Sequence, residues 1–205
     1  MTTTELTEEI ARLSAAVTPT SCELLSSVEA PAHLTLVALL PAEIVAQLQP
    51  ILDDLRKIDP SLLLNPVDLL HLTVFHCSVT YKPELIMQTV KEVMAGKELS
   101  FTLHGLTAMN TAFAVCAFPD NDSLFTLRQA LFGATNLGSP PNGYRGHMAW
   151  ATLGRYSEMP KPEVLTYLNS YGKKVFGEIV VDELVLYKSK SKDLSSSKEV
   201  ARLSF

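Results

Sequence analysis

Residues 99–106 and 111–117 are two strand-like runs separated only by Thr107-Ala108-Met109-Asn110. Strands in direct succession argue against a doubly wound parallel sheet, where a helix separates each strand from the next, and for an α+β arrangement. The last two runs, 175–188 and 199–204, are joined by the polar segment SKSKDLSSSK and can form a second antiparallel hairpin. Elsewhere strands and helices alternate. HLTLVALL at 33–40 reads as a buried strand, and Pro41 opens a helix whose apolar face is Ile44, Leu48, Ile51, Leu52 and Leu55. A second strand covers 69–79, followed by a helix over 83–95 with Leu85, Ile86, Val90, Val93 and Met94 on one side and Gly96 at its end. A helix capped by Asp120, Asn121 or Asp122 runs to about 134, a strand covers 147–156 and a helix 161–172.

The length of 205 residues suits one domain, or two small lobes sharing a core. The expected division is an N-terminal helix and connector over 1–32, the helix carrying Leu6, Ile10 and Leu13, and one bilobal domain over 33–205. The net charge of -5 excludes the broad basic footprint of a protein that coats long nucleic acid, but it leaves room for a nucleotide end in a local pocket. Cys22, Cys77 and Cys116 are odd in number and far apart, which suits buried free thiols in a reducing compartment. The N-terminal segment has neither the form of a secretory signal nor that of a membrane span, so the expected location is the cytoplasm. No glycine-rich phosphate loop, GxSxG or HExxH occurs.

Chemistry is therefore sought among the five histidines. His71-Leu72-Thr73-Val74 is a His-x-Thr on a strand, and alternation places His71 and Thr73 on one face and two apolar residues on the other, as a cleft wall requires. His147-Met148-Ala149-Trp150 stands on a second strand, directly after the turn-rich loop GSPPNGYRG, which supplies Tyr144 and Arg145. His33-Leu34-Thr35 repeats the spacing but belongs to the first core strand. His76 falls off the His71/Thr73 face if the strand is regular, His104 reads as structural, and Lys188, Lys190 and Lys192 read as a solvated loop. No helical HxxxH or carboxylate partner supports a metal site, and no cofactor is expected.

These segments resemble the 2H phosphoesterase superfamily, which includes 2'-5' RNA ligase-like proteins and cyclic phosphodiesterases. HLTLVALLPAEIVAQL is similar to the first strand and helix of that family, LLHLTVF to its first His-x-Thr strand, FTLHGLTAMNTAFAVCAF to its central strand pair, and FGEIVVDELVLYKSKSKD to its late strand ending in a tyrosine and a serine, here Tyr187 and Ser189. The resemblance implies a two-lobed fold with two mostly antiparallel sheets lining a central cleft and helices outside. It implies metal-independent hydrolysis of a 2',3'-cyclic nucleotide or RNA-end phosphate by two cleft histidines, His71 and His147, one acting as base and the other as acid. Thr73 would steady the phosphate, Arg145 would grip it, and Tyr144 would stack on a base.

The second motif departs from the family pattern. The residue two after His147 is Ala149, which has no hydroxyl, and Thr152-Leu153-Gly154-Arg155 fits the usual continuation better, placing Trp150 at the histidine position. A strand three residues out of phase turns the other face, so His147 and Trp150 exclude each other from the cleft unless a bulge intervenes. The expectation is His147 in the cleft; the competing register puts Trp150 there instead, where an aromatic can stack on a base. Alternatives to catalysis are a non-catalytic nucleotide- or RNA-end-binding protein on the same scaffold, motivated by Ala149, and a cleft that serves a protein partner.

Overall fold

A computed structural model describes residues 3–25, 29–139, 144–191 and 197–205. Along the chain lie α1 (Thr3–Ala15), β1 (Glu29–Leu39), α2 (Ala42–Ile58), β2 (Leu62–Leu64), β3 (His71–Ser78), α3 (Pro83–Met94), β4 (Leu99–Ala108), β5 (Phe113–Pro119), α4 (Ser123–Ala134), α5 (Tyr144–His147), β6 (Ala149–Tyr156), α6 (Pro162–Ser170), β7 (Val175–Val181), β8 (Glu183–Ser191) and β9 (Lys198–Ser204). Each described strand pairing is antiparallel. The fold is α+β, as the direct succession of β4 and β5 requires.

The strand order is β7-β4-β5-β6-β3-β1-β8-β9, with β2 beside β6. The path divides at its middle: β3 and β6 are joined through a single register pair, Leu72 opposite Ala151, so a half of five strands, counting β2, and a half of four meet along a narrow seam. Both halves are built alike near the seam. β1 leads through α2 to its antiparallel neighbour β3, and β5 leads through α4 to its antiparallel neighbour β6.

The predicted face of α2 is the buried one: Ile44, Leu48, Ile51, Leu52 and Leu55 join one core with Leu34, Leu36 and Ala38 of β1 and Leu72 of β3. On α3, Ile86, Val90 and Met94 are buried, while Leu85 is 43% exposed. The expected single strand over 175–188 is two strands. The exposed Asp182 separates β7, which pairs with β4 at one end of the sheet, from β8, which pairs with β1 near the other. The final hairpin, β8 with β9, forms as expected. α1 docks on β4: Ser14 Oγ accepts from the Ala108 N–H at 3.1 Å and donates to Asn169 Oδ1 at 3.1 Å. The side chains of Leu6, Ile10 and Leu13 lie outside the described residues. None of the described helices is long and apolar enough to cross a membrane.

Candidate functional site

The site is built where β3 and β6 part. β3 pairs with β1 from Leu39–His71 to Val37–Thr73, and the next partner of β1, Leu36, faces Phe75, so Val74 is an extra residue in β3. A bulge of this kind resets strand alternation. Before it, His71 and Thr73 share one face while Leu72 is buried on the other; beyond it, Phe75 and Cys77 turn into the core and His76 comes round to the His71/Thr73 face. The expectation that His76 falls off that face assumed a regular strand, and the bulge overturns it. Nothing in the run HLTVFHC marks the bulge, because each residue in it is ordinary in a regular strand.

On β6 the strand starts at Ala149, two residues later than expected, because residues 144–147 form the helical turn α5. A two-fold axis through the Leu72–Ala151 pair carries β3 onto β6 and relates each residue before or after Leu72 to the residue equally far from Ala151. His71 then falls on Trp150 and Thr73 on Thr152. The burial pattern obeys the same relation: Leu72 and Ala151 are each 0% exposed, while His71, Thr73, Trp150 and Thr152 are all partly exposed. Trp150-Ala151-Thr152 is thus the structural counterpart of His71-Leu72-Thr73. Gly154 in the following Leu-Gly-Arg is needed sterically, since a Cβ there would lie 2.4 Å from the Phe113 ring.

A cleft of about 650 Å³ opens at this seam. Thr73, His76, Met148 and Trp150 line it, together with Cys116 and residues 107–111 of the β4–β5 hairpin. Cys116, Phe118 and Met148 form a small apolar cluster of their own, separate from the main core, and Trp150 packs against it. The β6 side of the cleft is therefore apolar, while β3 contributes the polar Thr73 and His76 alongside Val74 and Phe75.

The two histidines expected to face each other are not brought together on this wall. Neither His71 nor His147 is among the described residues that line the cleft. His147 ends α5, where its ring stacks on Phe125 of α4 at a centroid distance of 4.4 Å and an interplanar angle of 9°. The side chains of Tyr144 and Arg145, expected to bind substrate, lie outside the described residues. His71 donates from Nδ1 to its own loop, the Leu69 carbonyl, at 2.7 Å. Since a carbonyl only accepts, this bond fixes the tautomer and makes Nε2 the basic atom of the ring. Burial holds the His71 imidazolium below its ordinary range, against the opposing pull of the Leu69 bond, so the ring is neutral at neutral pH.

Sequence reasoning missed Arg128, which holds the seam together. This α4 residue is 8% exposed. Its Nε donates to the Val74 carbonyl at 2.8 Å and Nη2 to the Thr73 carbonyl at 3.1 Å, both at the bulge, while Nη1 donates to the Met148 carbonyl at 2.6 Å on the β6 side and to Gly146 at 3.4 Å. A bulge disrupts the ladder and β3 has parted from β6 here, so these carbonyls need donors from elsewhere. Arg128 is predicted by no motif; the signal is a lone arginine on the otherwise apolar face of Leu124, Leu127 and Leu131. Burial lowers its pKa to about 10, which still leaves it charged at neutral pH. Two of the three cysteines are buried as expected, with thiols pushed up to about 11 for Cys77 and about 12 for Cys116 by burial, and Cys22 is partly exposed.

The paired half-sheets and the seam between them recur in solved structures, which share the fold of this chain. TT0787 of Thermus thermophilus matches with a TM-score of 0.57 at 17% identity, over 84% of this chain and 97% of that one. A protein described as a phosphoesterase matches with a TM-score of 0.54 at 18% identity, over 85% of this chain and 99% of that one. E. coli LigT complexed with 3'-AMP matches with a TM-score of 0.56 at 19% identity, over 86% and 99%. LigT has also been seen with ATP, NADP+ and phosphate. No protein-family model and no curated protein matches the chain.

Proposed function

We propose that the protein binds the phosphate-bearing end of a nucleotide or RNA in the seam cleft, with a base stacked on Trp150 and the phosphate toward the Thr73 hydroxyl. The observation that carries this reading is the indole at the position related to His71 by the two-fold axis, on a cleft wall that is otherwise small and apolar. An aromatic ring offers any base a stacking surface, whereas an indole N–H is a donor only and exchanges no proton near neutrality. The LigT complexes with 3'-AMP and ATP support a nucleotide as the ligand class for this fold.

The second reading is metal-independent hydrolysis of a 2',3'-cyclic nucleotide or RNA-end phosphate, with His71 as base, Thr73 steadying the phosphate and His147 as acid. The fixed tautomer of His71, with Nε2 basic, favours it. Against it stands the second half of the site, since loss of one acid–base partner typically removes about 10²–10⁴-fold in rate.

Trp150 is the one tryptophan in the chain, so its fluorescence reports on the cleft alone. Titration with 3'-AMP is expected to quench it saturably, and calorimetry on Trp150→Ala should show affinity weakened by about 1–3 kcal/mol, the usual worth of one stacked base. Absence of saturable binding sinks the reading. Turnover of a 2',3'-cyclic nucleotide in EDTA, abolished by both His71→Ala and His147→Ala, would establish the second reading in its place.

A further inference from the structure

The bulge in β3 does more than turn one side chain. Past it, β3, β1 and β8 present two polar rows on the Thr73 face. His76, Thr35 and Tyr187 stand side by side in one row, and Ser78, His33 and Ser189 in the next. The spare His-x-Thr of β1 and the Tyr-x-Ser of β8 are therefore neighbours on one sheet surface, continuous with the cleft wall at His76 and Thr73. All six side chains are hydroxyls or imidazoles, and none is a carboxylate.

Within this surface His76 is held on two sides. Thr35, 6% exposed, places its Oγ1 3.2 Å from His76 Nδ1, and the His33 ring lies 4.6 Å from the His76 ring, centroid to centroid. The Thr35 contact occupies Nδ1 and leaves Nε2 as the nitrogen presented to a cleft ligand. Among the described residues lining the cleft, the side chains able to carry positive charge are His76 and Arg128. Arg128 spends its guanidinium on four backbone carbonyls. The one carboxylate there, Glu23, lies toward the far hairpin, where its N–H donates to Asn110. Lys188 alternates to the opposite face of β8, paired with Leu34.

We infer that His76, oriented by Thr35 and with the His33 ring beside it, is the phosphate-binding residue of the cleft, with Thr73 as hydroxyl donor. This assignment rests on the nucleotide-binding reading above and adds a phosphate subsite to it on the β3 wall, opposite Trp150. Burial, and behind it the neighbouring His33, hold the His76 pKa below its ordinary value, and a phosphate oxygen at Nε2 favours the protonated ring, which makes the bond charge-assisted. Thr35 fixes the ring so that little freedom is lost on binding.

The test compares adenosine with 3'-AMP by Trp150 fluorescence in the wild type, His76→Ala and Thr35→Val, each shown to be folded by its thermal melt. The ratio of adenosine to 3'-AMP dissociation constants is expected to be at least about tenfold in the wild type, to fall to about one in His76→Ala and to fall severalfold in Thr35→Val. If adenosine and 3'-AMP both bind but the wild-type ratio is near one, or survives in His76→Ala, the phosphate subsite is overturned while nucleotide binding stands. If neither ligand changes the fluorescence, the underlying reading fails with it.

Discussion

β3 and β6 occupy equivalent places on either side of the seam, yet they carry different chemistry. Each sets a three-residue motif at the centre of the sheet, with the middle residue buried and the outer two partly exposed on the other face. On β3 the outer pair is His71 and Thr73; on β6 it is Trp150 and Thr152. The backbone decides which positions share a face of the sheet, and the residue type decides what chemistry that face can offer. One half keeps a titratable ring, His71, in a fixed tautomer, and its bulge brings a different imidazole, His76, to the cleft wall. The other half offers a flat indole over an apolar patch. Equivalent backbone positions on the two strands thus carry an imidazole on one side of the seam and an indole on the other.

The comparison depends on the seam, so the variant with the largest expected effect is at Arg128. Its guanidinium ties the carbonyls of Thr73 and Val74 to those of Gly146 and Met148 across a gap bridged by one backbone register pair. Arg128→Met removes every donor while filling the space. Bonds from a charged group are worth about 1.5–3 kcal/mol each, and stranded buried carbonyls cost about 1–3 kcal/mol each, partly offset by relief from burying the charge. A net loss of about 3 kcal/mol is expected, or roughly 6–12 °C in Tm for a chain of this size, read by thermal melting. Arg128→Lys keeps the charge but lacks the planar fork and should recover only part of the loss. A melt unchanged in Arg128→Met would mean that the two strands are held by the core alone.

How much of this was legible in the sequence follows from the same contrast. The α+β class and the α2 face were readable because they rest on short-range periodicity and on direct strand succession. Thr73 could be placed by alternation alone. His76 could not, because the bulge at Val74 is set by how β1 and β3 align, not by residue types within β3. The choice between His147 and Trp150 turned on where a strand begins. The expected start at 147 preserved a histidine motif, whereas the chain makes the α5 turn first and β6 starts at Ala149. The Thr152-Leu153-Gly154-Arg155 continuation held the correct phase in plain view, and Gly154 carries it because the Phe113 ring fills the space a side chain would need. Arg128 stands out on its apolar helix face, but its role was not readable for a different reason: its partners are backbone carbonyls far away in sequence.

A smaller effect tests whether His147 belongs with the site or with the frame. Its ring stacks face to face on Phe125 at 4.4 Å. An aromatic pair of this kind is worth about 0.5–1.5 kcal/mol beyond its buried area. His147→Ala is therefore expected to lower the urea midpoint by an amount equivalent to about 1 kcal/mol and to leave 3'-AMP affinity within about twofold of wild type. A tenfold loss of affinity, or loss of turnover with the urea midpoint unchanged, would return His147 to the cleft and restore the symmetry between the two halves.

The smallest effect is a pH dependence that should belong to β3 and can be transplanted to β6. Burial holds the folded-state pKa of His71 below its unfolded value of 6.5. As pH falls below that value the unfolded chain takes up a proton that the folded chain resists, so the stability contributed by the neutral ring is present above about 6.5 and is lost as pH falls toward the folded pKa. The slope for one such group is at most about 1.4 kcal/mol per pH unit. Urea unfolding at about pH 7 and at about pH 5.5 should therefore show an acid loss in the wild type that shrinks in His71→Gln, whose side chain cannot titrate. Trp150→His supplies the converse. If position 150 is the true counterpart of position 71, an imidazole placed there is enclosed by the same architecture and steepens the acid loss beyond wild type. An unchanged slope in Trp150→His would mean that the two-fold relation describes the backbone alone, and that position 150 is more open to water than position 71.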